Sequence, residues 1–382
     1  MRAALTLVES QTAELTVYFY TILFTRYPQV RNLFPGNMDV QRGRLLRGLL
    51  RIIDLADDPD NLVRFCTRLG HDHRKFGAIE AHYPAVGECL LAALARYSGN
   101  AWTPEMAAAW TRAFAVASRV MILAAADDAR VRPATWEARV VRHVDRGHGI
   151  AEITVEPDIP YPYAAGQYVT LETPWHPLAW RHYSPANAPR QDNRLTFHVR
   201  AVPHGSVSNV LVHQASVGDF VRLGPPQGDM TLDVAADRDL VCVAGGTGLA
   251  PIQALLEETS RRDMHRHVDL FIGARTADEL YGLDAMLRMA QRHHWLSVRA
   301  AVSHQRIPGL EGQLPQVLRE FGPWDQHTAL VSGPPAMVTA AARTLREHGM
   351  PSAHIHHDAL DVPVLTAPLL PPGQRQEDDA PQ

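Results

Sequence analysis

The spacing of the hydrophobic residues changes twice along this 382-residue chain and divides it into three zones. In the first zone, residues 1–131, apolar residues recur every three or four positions, as at Leu15 and Phe19. That period is typical of amphipathic helices. The last helix is expected to begin at Thr103-Pro104-Glu105, where proline suits the first turn and the acid suits the positive end of the helix dipole. It is expected to end near Ala126. The spacing of the apolar residues thus predicts that the first zone is all helical.

The second zone, residues 134–235, alternates apolar and polar residues over short runs that glycine and proline bound, as in 150–155 and 195–200. About six such strands predict a small antiparallel β-barrel. The third zone, residues 236–361, alternates apolar strands with helices, which predicts a parallel sheet flanked by helices. Residues 362–382 are rich in proline and acidic residues and are expected to be disordered. The predicted fold class is thus multi-domain: all-α, then antiparallel β-barrel, then α/β.

Composition excludes several classes of function. The net charge of −4 leaves no basic footprint for nucleic acid or an anionic membrane. The longest apolar stretch, Ala113–Ala126, contains Arg119 and is too short to span a bilayer. The chain begins without an apolar signal core, so we expect a cytoplasmic protein. Its three scattered cysteines favour a reducing compartment and are too few for an iron–sulfur cluster with four cysteine ligands.

Two motifs in the second zone indicate a flavin. Arg181-His182-Tyr183-Ser184-Pro185-Ala186-Asn187 follows a predicted strand and resembles the flavin motif of the ferredoxin–NADP reductase superfamily. Arginine pairs with phosphate groups, and tyrosine can stack on the isoalloxazine ring. Gly205-Ser206-Val207-Ser208 resembles the second phosphate loop of the same superfamily. The resemblance implies that FAD is bound by Arg181, Tyr183, Ser184, Asn187, Gly205, Ser206, Val207 and Ser208.

Three segments in the third zone indicate a nicotinamide nucleotide. Gly245–Pro251 follows an apolar strand and begins a helix, the position at which glycines allow the backbone to approach a pyrophosphate. Ser332–Met337 resembles the superfamily's nicotinamide loop, with Ser332 in place of its cysteine. Arg275 lies in a segment resembling the one that holds the adenosine end. The resemblance implies that NADH or NADPH is bound by Gly246, Thr247, Gly248, Pro251, Arg275, Ser332, Gly333 and Pro334. Arg275 suits a 2′-phosphate, yet we favour NADH because such arginines also occur in NADH users.

Since no iron–sulfur domain is present, the electrons must pass to the helical zone or to a separate protein. The helical zone contains five residues in an order that resembles the globin domain of the flavohaemoglobins: Tyr20, Phe34, Gln41, His73 and Tyr83. The resemblance implies haem b with His73 as the iron ligand and Tyr83 as the partner of His73. It places Tyr20 and Gln41 on the distal side, with Phe34 packed on the haem and Leu45 as the distal wall.

The sequence departs from this family at several positions. Ala125 stands where the family has a glutamate that joins the proximal histidine and tyrosine, and Asp127 and Asp128 are nearby alternatives. Asp72 replaces a lysine before the histidine. Leu360 replaces an aromatic residue expected over the flavin, and Asp358 takes the place of the acid before it. These changes affect the expected haem potential and electron-transfer rate more than the fold.

The resemblance implies an NAD(P)H-dependent nitric oxide dioxygenase that converts nitric oxide and dioxygen to nitrate. Its partners would be these two gases and a nicotinamide nucleotide, with no obligate protein partner. Two alternatives stay open at this point. One is a divergent globin-coupled flavin oxidoreductase that acts on another small donor or acceptor. The other is a gas-binding haem sensor whose reductase keeps the iron ferrous.

Overall fold

The computed structural model describes residues 11–264, 266–305, 307 and 312–357. It divides the chain into two compact units, one containing the residues up to Arg130 and the other Val131–Asp361. The predicted tail, residues 362–382, lies outside the described residues, as do Asp358 and Leu360.

The first unit is helical throughout its described residues. Its α-helices are α1 (Thr12–Arg26), α2 (Asp39–Asp54), α3 (Pro59–His73), α4 (His82–Ser98) and α5 (Pro104–Ala129), with short 3-10 helices at Pro28–Leu33, Arg74–Phe76 and Gly99–Ala101. Side chains cap two of the α-helices. Asp58 accepts a hydrogen bond from the Asn61 N–H at the start of α3, and Thr103 accepts one from the Met106 N–H at the start of α5. Helix α5 therefore begins at the predicted proline and ends three residues after the predicted Ala126.

Helix α5 is long and apolar enough to cross a membrane by length and composition alone, the one described helix that meets this test. Two other observations place it within the helical unit. Trp110 belongs to the larger apolar core of the unit, and Ala117 and Met121 form a second core cluster with Cys66 of α3. Helix α5 thus joins the two cores.

Helices α3 and α5 pack closely at Gly70. A Cβ atom added to this glycine would lie 2.9 Å from the Cα of Met121. Real Cβ atoms do not approach a neighbouring backbone so closely, so a side chain at this position would force the two helices apart. Gly70 lies three residues before His73, and the crossing therefore sets the position of the end of α3.

We expect Gly70→Ala to lower the free energy of unfolding of the haem unit by about 1–3 kcal/mol, the usual cost of overpacking. Chemical unfolding followed through the haem Soret band measures this change. Gly48→Ala is the matched control, because a Cβ on that α2 glycine meets no atom within 4 Å. Alanine in such a helix position is favoured by about 0.5–1 kcal/mol. Equal free energies of unfolding for the two variants would show that the close crossing of α3 and α5 does not affect stability.

The second unit begins with a six-stranded antiparallel sheet in the order β4-β3-β6-β1-β2-β5. Its strands are β1 (Trp136–Asp145), β2 (Ile150–Pro157), β3 (Val169–Thr173), β4 (His176–Tyr183), β5 (Leu195–Arg200) and β6 (Phe220–Leu223), with helix α6 (Ser206–His213) after β5. The sheet curls so that its two ends approach, and an isolated bridge joins Pro185 to Phe197 of β5. Alternate residues of the strands fill a single apolar core that includes Trp136 and Phe197.

A five-stranded parallel sheet in the order β11-β10-β7-β8-β9 completes the second unit. Its elements are β7 (Asp239–Gly245), α7 (Leu249–Arg261), β8 (Val268–Ala274), α8 (Leu283–Arg292), β9 (Leu296–Val302), α9 (Leu314–Phe321), β10 (His327–Ser332), α10 (Pro335–Glu347) and β11 (Ile355–His356). Helices cover both faces, and each face has its own buried core. The carboxyl ends of β7 and β10 carry the glycine and proline loops that the sequence singled out.

Candidate active site

The distal side of the predicted haem pocket is built around Tyr20 of α1. Its side chain is buried, and its ring lies 5.5 Å from the ring of Phe34, edge to face. Its hydroxyl donates a long hydrogen bond of 3.4 Å to the main-chain oxygen of Gln41 in α2. Burial raises the pKa of Tyr20 well above its usual value, so the hydroxyl stays protonated and remains a donor.

The remaining distal residues surround the same tyrosine. Phe34 and Leu45 are partly buried and pack against the apolar core that contains Tyr20. Arg31 holds the corner before α2 by donating hydrogen bonds to the main-chain oxygens of Phe34, at 2.9 Å, and Gly36, at 3.3 Å. The structure therefore brings Tyr20, Phe34, Gln41 and Leu45 together, as the resemblance implied.

His73, the last residue of α3, has the geometry of a haem ligand. Its Nδ1 lies 2.7 Å from the main-chain oxygen of Leu69, one helical turn earlier. Donation from Nδ1–H to this carbonyl leaves the Nε2 lone pair available for iron. Burial lowers the pKa of His73 below its usual value, which favours the neutral imidazole that metals bind. The imidazole thus fits the role of an axial ligand.

The structure does not pair Tyr83 with His73, contrary to the expectation. The imidazole Nδ1 is instead hydrogen-bonded to the main-chain oxygen of Leu69. That oxygen lies about one helical turn before His73, on the same side of the helix. Tyr83 and Leu69 both pack against the small core cluster that contains Cys66 of α3. Tyr83 therefore contacts the core that lies beside α3.

A cleft of about 860 Å³ lies in the second unit between the curled sheet and the carboxyl ends of the parallel strands. This volume suits an extended cofactor. Ten predicted residues line it: Tyr183, Ser184, Gly246, Thr247, Gly248, Pro251, Arg275, Ser332, Gly333 and Pro334. The flavin and nicotinamide motifs, separated by about 60 residues and more in the sequence, therefore face one cavity.

Glycines make the floor of this cleft possible. A Cβ on Gly248 would lie 2.5 Å from the carbonyl carbon of Ser332 and 2.6 Å from the nitrogen of Gly333. A Cβ on Gly245 would lie 2.6 Å from the sulfur of Met337. The loops after β7 and β10 thus touch through backbone that carries no side chain. Such a bare backbone surface at the start of helix α7 is what a pyrophosphate needs, so the residues fit a nicotinamide nucleotide.

The flavin motif divides into residues that face the cleft and residues that support it. Tyr183 and Ser184 line the cleft, and burial raises the pKa of Tyr183 well above its usual value, which keeps it neutral. Asn187, predicted to bind FAD, is instead fully occupied within the protein. Its side chain donates to Tyr163, Ala188 and Arg194 and accepts from the Thr196 N–H. Asn187 therefore shapes the turn after Ser184, and its side-chain amide is engaged within the protein.

The second predicted flavin loop forms the start of α6. Gly205 precedes the helix, and Ser206 begins it with its side chain exposed. Ser208 accepts a hydrogen bond from the Val202 N–H at 3.3 Å, and the Val207 side chain is buried in the sheet core, so Val207 has only its main chain to offer a ligand. Arg181 lies outside the cleft lining, and its guanidinium donates to the main-chain oxygen of Trp180 at 2.9 Å. Backbone N–H groups at this helix start fit a phosphate.

The comparisons with known proteins agree with this arrangement. Residues 17–121 match the globin family, residues 151–232 the oxidoreductase FAD-binding domain and residues 242–343 the oxidoreductase NAD-binding domain. A flavohemoprotein of Bacillus subtilis (strain 168) is 25% identical over 94% of this chain and 95% of its own length. The crystal structure of a flavohemoglobin from Malassezia yamatoensis with bound FAD and heme has the same fold, with a TM-score of 0.78, 19% identity and coverage of 93% and 96% of the two chains.

The chain belongs to the flavohaemoglobin family. Its second unit alone also has the fold of the FAD/NAD-binding domain of a nitric oxide dioxygenase from Vibrio cholerae, with a TM-score of 0.52, 21% identity and coverage of 58% of this chain and 96% of that one. Haem, FAD and a nicotinamide nucleotide are the cofactors of its three domains. The predicted fold class is confirmed, and the protein is a globin coupled to an NAD(P)H-dependent flavin oxidoreductase.

The proximal side shows how this flavohaemoglobin departs from its family pattern. Ala125, which the sequence resemblance set at the position of the family glutamate, is partly buried in α5. Of the two nearby acids, the Asp127 side chain is 71% exposed and pairs with Arg130 at the surface. The Asp128 side chain is only 4% exposed and pairs with Arg74, the residue after His73. Asp128 is therefore the buried carboxylate of this region.

Several cleft residues were missed by the sequence reasoning. His198 and Arg200 line the cleft from β5, and Glu279 lines it beside Arg275. The His198 Nδ1 lies 3.1 Å from the Tyr281 hydroxyl, and burial lowers the pKa of His198 to about 4. The alternation of strand 195–200 carried a signal for two of them, since it places His198 and Arg200 on the face opposite the buried Phe197.

Proposed function

We propose that this flavohaemoglobin is a nitric oxide dioxygenase that draws its electrons from NADH. In this reaction one hydride supplies two electrons, and each electron converts one nitric oxide and one dioxygen to one nitrate ion, so one hydride supports two turnovers. Haem, FAD and the nicotinamide nucleotide, when bound, supply gas binding, one-electron transfer and hydride transfer. The name of the Vibrio cholerae protein with the same reductase fold supports this reaction for the family.

The observation that carries the proposal is the environment of the Tyr20 hydroxyl. It is a neutral donor in an aromatic pocket, and its bond to the Gln41 main chain is long at 3.4 Å. A long bond leaves the hydroxyl able to turn toward a more negative acceptor. A preorganised donor in a water-poor site stabilises negative charge that develops on a reacting gas far better than water does. Tyr20 therefore suits oxygen chemistry better than passive gas storage.

Anaerobic addition of NADH to the purified, cofactor-loaded protein tests the electron path. We expect the flavin absorbance to bleach and the Soret band to shift to its ferrous position. Addition of dioxygen and nitric oxide should then consume the two gases in equal amounts and release nitrate. Bleached flavin with persistently ferric haem would reject the proposal.

Glu279 supports NADH over NADPH. Its carboxylate holds the Arg275 guanidinium, with an Nε–Oε2 distance of 3.0 Å and a second bond from Nη2 to Oε1. The positive charge of Arg275, which a 2′-phosphate would need, is therefore already neutralised by the Glu279 carboxylate. A carboxylate in this place can also accept a hydrogen bond from the 2′-hydroxyl of NADH, as acids do in dinucleotide-binding folds. An unmodified ribose suits the pair better than a phosphorylated one.

We expect Glu279→Gln to lower the ratio of kcat/KM for NADH to kcat/KM for NADPH by roughly tenfold, equivalent to about 1.4 kcal/mol. The change should lie in KM, since the adenosine end of the nucleotide is remote from hydride transfer. Steady-state reduction of an artificial electron acceptor measures both constants. Asp278→Asn, which removes an exposed neighbouring charge, should leave the ratio unchanged. A shift of the same size in both variants would assign the effect to overall charge.

A second candidate, a globin-coupled flavin oxidoreductase that acts on another small donor or acceptor, is favoured by one observation. The His73 imidazole donates to a neutral carbonyl, whereas a carboxylate partner would make it a stronger donor to iron. Haem reduction by NADH in the absence of air would count against this second function, and haem that stays ferric beside bleached flavin would favour it.

The cysteines are consistent with the cytoplasmic location that forms part of the proposal. Cys66, Cys89 and Cys242 are all free and buried. Burial raises the pKa of the Cys66 thiol to about 11, which keeps it protonated and unreactive. Each thiol thus behaves as a small apolar core residue, as is usual in a reducing compartment.

A further inference from the structure

Both sequence neighbours of His73 form ion pairs. Asp72, the residue before it, pairs with Lys75, whose side chain is 2% exposed. Arg74, the residue after it, pairs with Asp128, and these side chains are 11% and 4% exposed. The first pair lies within one turn of chain. The second joins residues 54 positions apart in the sequence and links the 3-10 turn after α3 to the end of α5.

The Arg74–Asp128 pair attaches the chain after His73 to α5. Before His73, the close crossing of Gly70 and Met121 attaches α3 to the same helix. His73 lies between the two attachment points on its own chain, three residues after Gly70 and one before Arg74. On α5 the corresponding points, Met121 and Asp128, are two helical turns apart. The backbone that carries the imidazole is therefore fixed at both ends against one continuous helix.

We propose that Asp128 is a positioning residue for the haem ligand, acting through Arg74 to hold His73 in place and adding a buried negative charge to the proximal side of the haem. This inference rests on the proposed assignment of His73 as the iron ligand. Asp128 stands one helical turn beyond Ala125, and it pairs with Arg74. The chain thus has a carboxylate on this side of the haem that acts by a different route from the family glutamate.

The two partners should have opposite electrostatic effects and the same mechanical effect. Removing a buried negative charge destabilises ferric haem, which carries one more positive charge than ferrous haem, and removing a buried positive charge does the reverse. Loss of either partner, however, releases the same attachment. Charge and position can therefore be separated by comparing substitutions of the two residues.

The test measures the haem midpoint potential and the iron–histidine stretching band of the full-length, cofactor-loaded protein. We expect Asp128→Asn to raise the potential and Arg74→Gln to lower it, while both shift the stretching band. Asp127→Asn is the matched control, because its side chain lies at the surface of the same helix. It should change neither quantity. Asp128→Glu, which keeps the charge and the pair, should restore both toward the values of the unmodified protein.

Unchanged potential and unchanged stretching band in haem-loaded Asp128→Asn would overturn the inference, as would equal shifts in Asp127→Asn. If Asp128→Asn fails to retain haem, Arg74→Lys decides the question. This substitution keeps the charge and alters the length of the side chain that links His73 to α5. The iron–histidine stretching band should therefore shift while the haem potential does not. An unaltered stretching band would contradict the inference. Both readings use protein reduced chemically. They stand apart from nitric oxide turnover, on which the proposed function depends.

Discussion

Tyr20→Phe is expected to lower nitric oxide turnover by about 10²–10³-fold, because it removes one hydroxyl from the distal pocket and almost no volume. Loss of a single preorganised donor to developing negative charge costs about 2.7–4 kcal/mol in comparable sites. The ring contacts with Phe34 and Phe24 remain, so the fold should be preserved. Stopped-flow measurement of nitric oxide consumption, together with the rate of oxygen release, gives the size of the effect.

Reduction of the flavin by NADH should be unaffected in Tyr20→Phe, since that step takes place in the other unit. Tyr18→Phe is the matched control on the same helix. Residues two apart point about 200° away from each other around a helix, and the Tyr18 ring packs on Tyr97 instead. Oxygen release at the rate of the unmodified protein in Tyr20→Phe would mean that the hydroxyl does not reach the bound gas.

His73→Ala is expected to abolish stable haem binding while FAD content stays normal. The imidazole is the buried neutral nitrogen donor that the structure offers at the end of α3, and alanine offers none. The flavin residues belong to a separate compact unit with its own cores, so they should fold without haem. Absorption spectroscopy of the purified variant measures both cofactors in one experiment.

His71→Ala should keep its haem, because His71 lies about 200° around α3 from His73. It controls for the loss of a histidine from this helix. A normal Soret band and normal iron ligation in His73→Ala would assign the ligand to another residue. The same result would remove the basis for the positioning role of Asp128.

Helices and strands could be predicted from the sequence because their caps and their hydrophobic spacing act over a few neighbouring residues. Thr103 caps α5 through the Met106 N–H, so that helix begins where proline and glutamate indicated. The run Leu195–Arg200 alternates buried and part-buried residues as it does in the sequence. The glycine loop after β7 was recognisable for the same reason, since a bare backbone at a helix start requires glycine wherever it occurs.

Roles that depend on long-range contacts were not predictable in this way. Asn187 matches the flavin motif as well as Tyr183 does, but only the fold shows that its amide is used up by four partners inside the protein. Asp127 and Asp128 are adjacent in the sequence and differ by about 100° around the helix end. Which of them is buried depends on where Arg74 lies, and that is decided by the crossing of α3 and α5.

Lys75 is the only lysine in the chain. Its side chain is 2% exposed, pairs with Asp72 and lies with its ammonium 5.3 Å from the centre of the Phe76 ring. Reagents that acylate lysine therefore have one internal target, and that target is shielded while the turn after His73 is closed. The rate of acylation at this single position rises with the fraction of time for which the turn is open, and it therefore reports local opening of the turn. Lys75 can therefore serve as a chemical probe of local unfolding beside the proposed haem ligand.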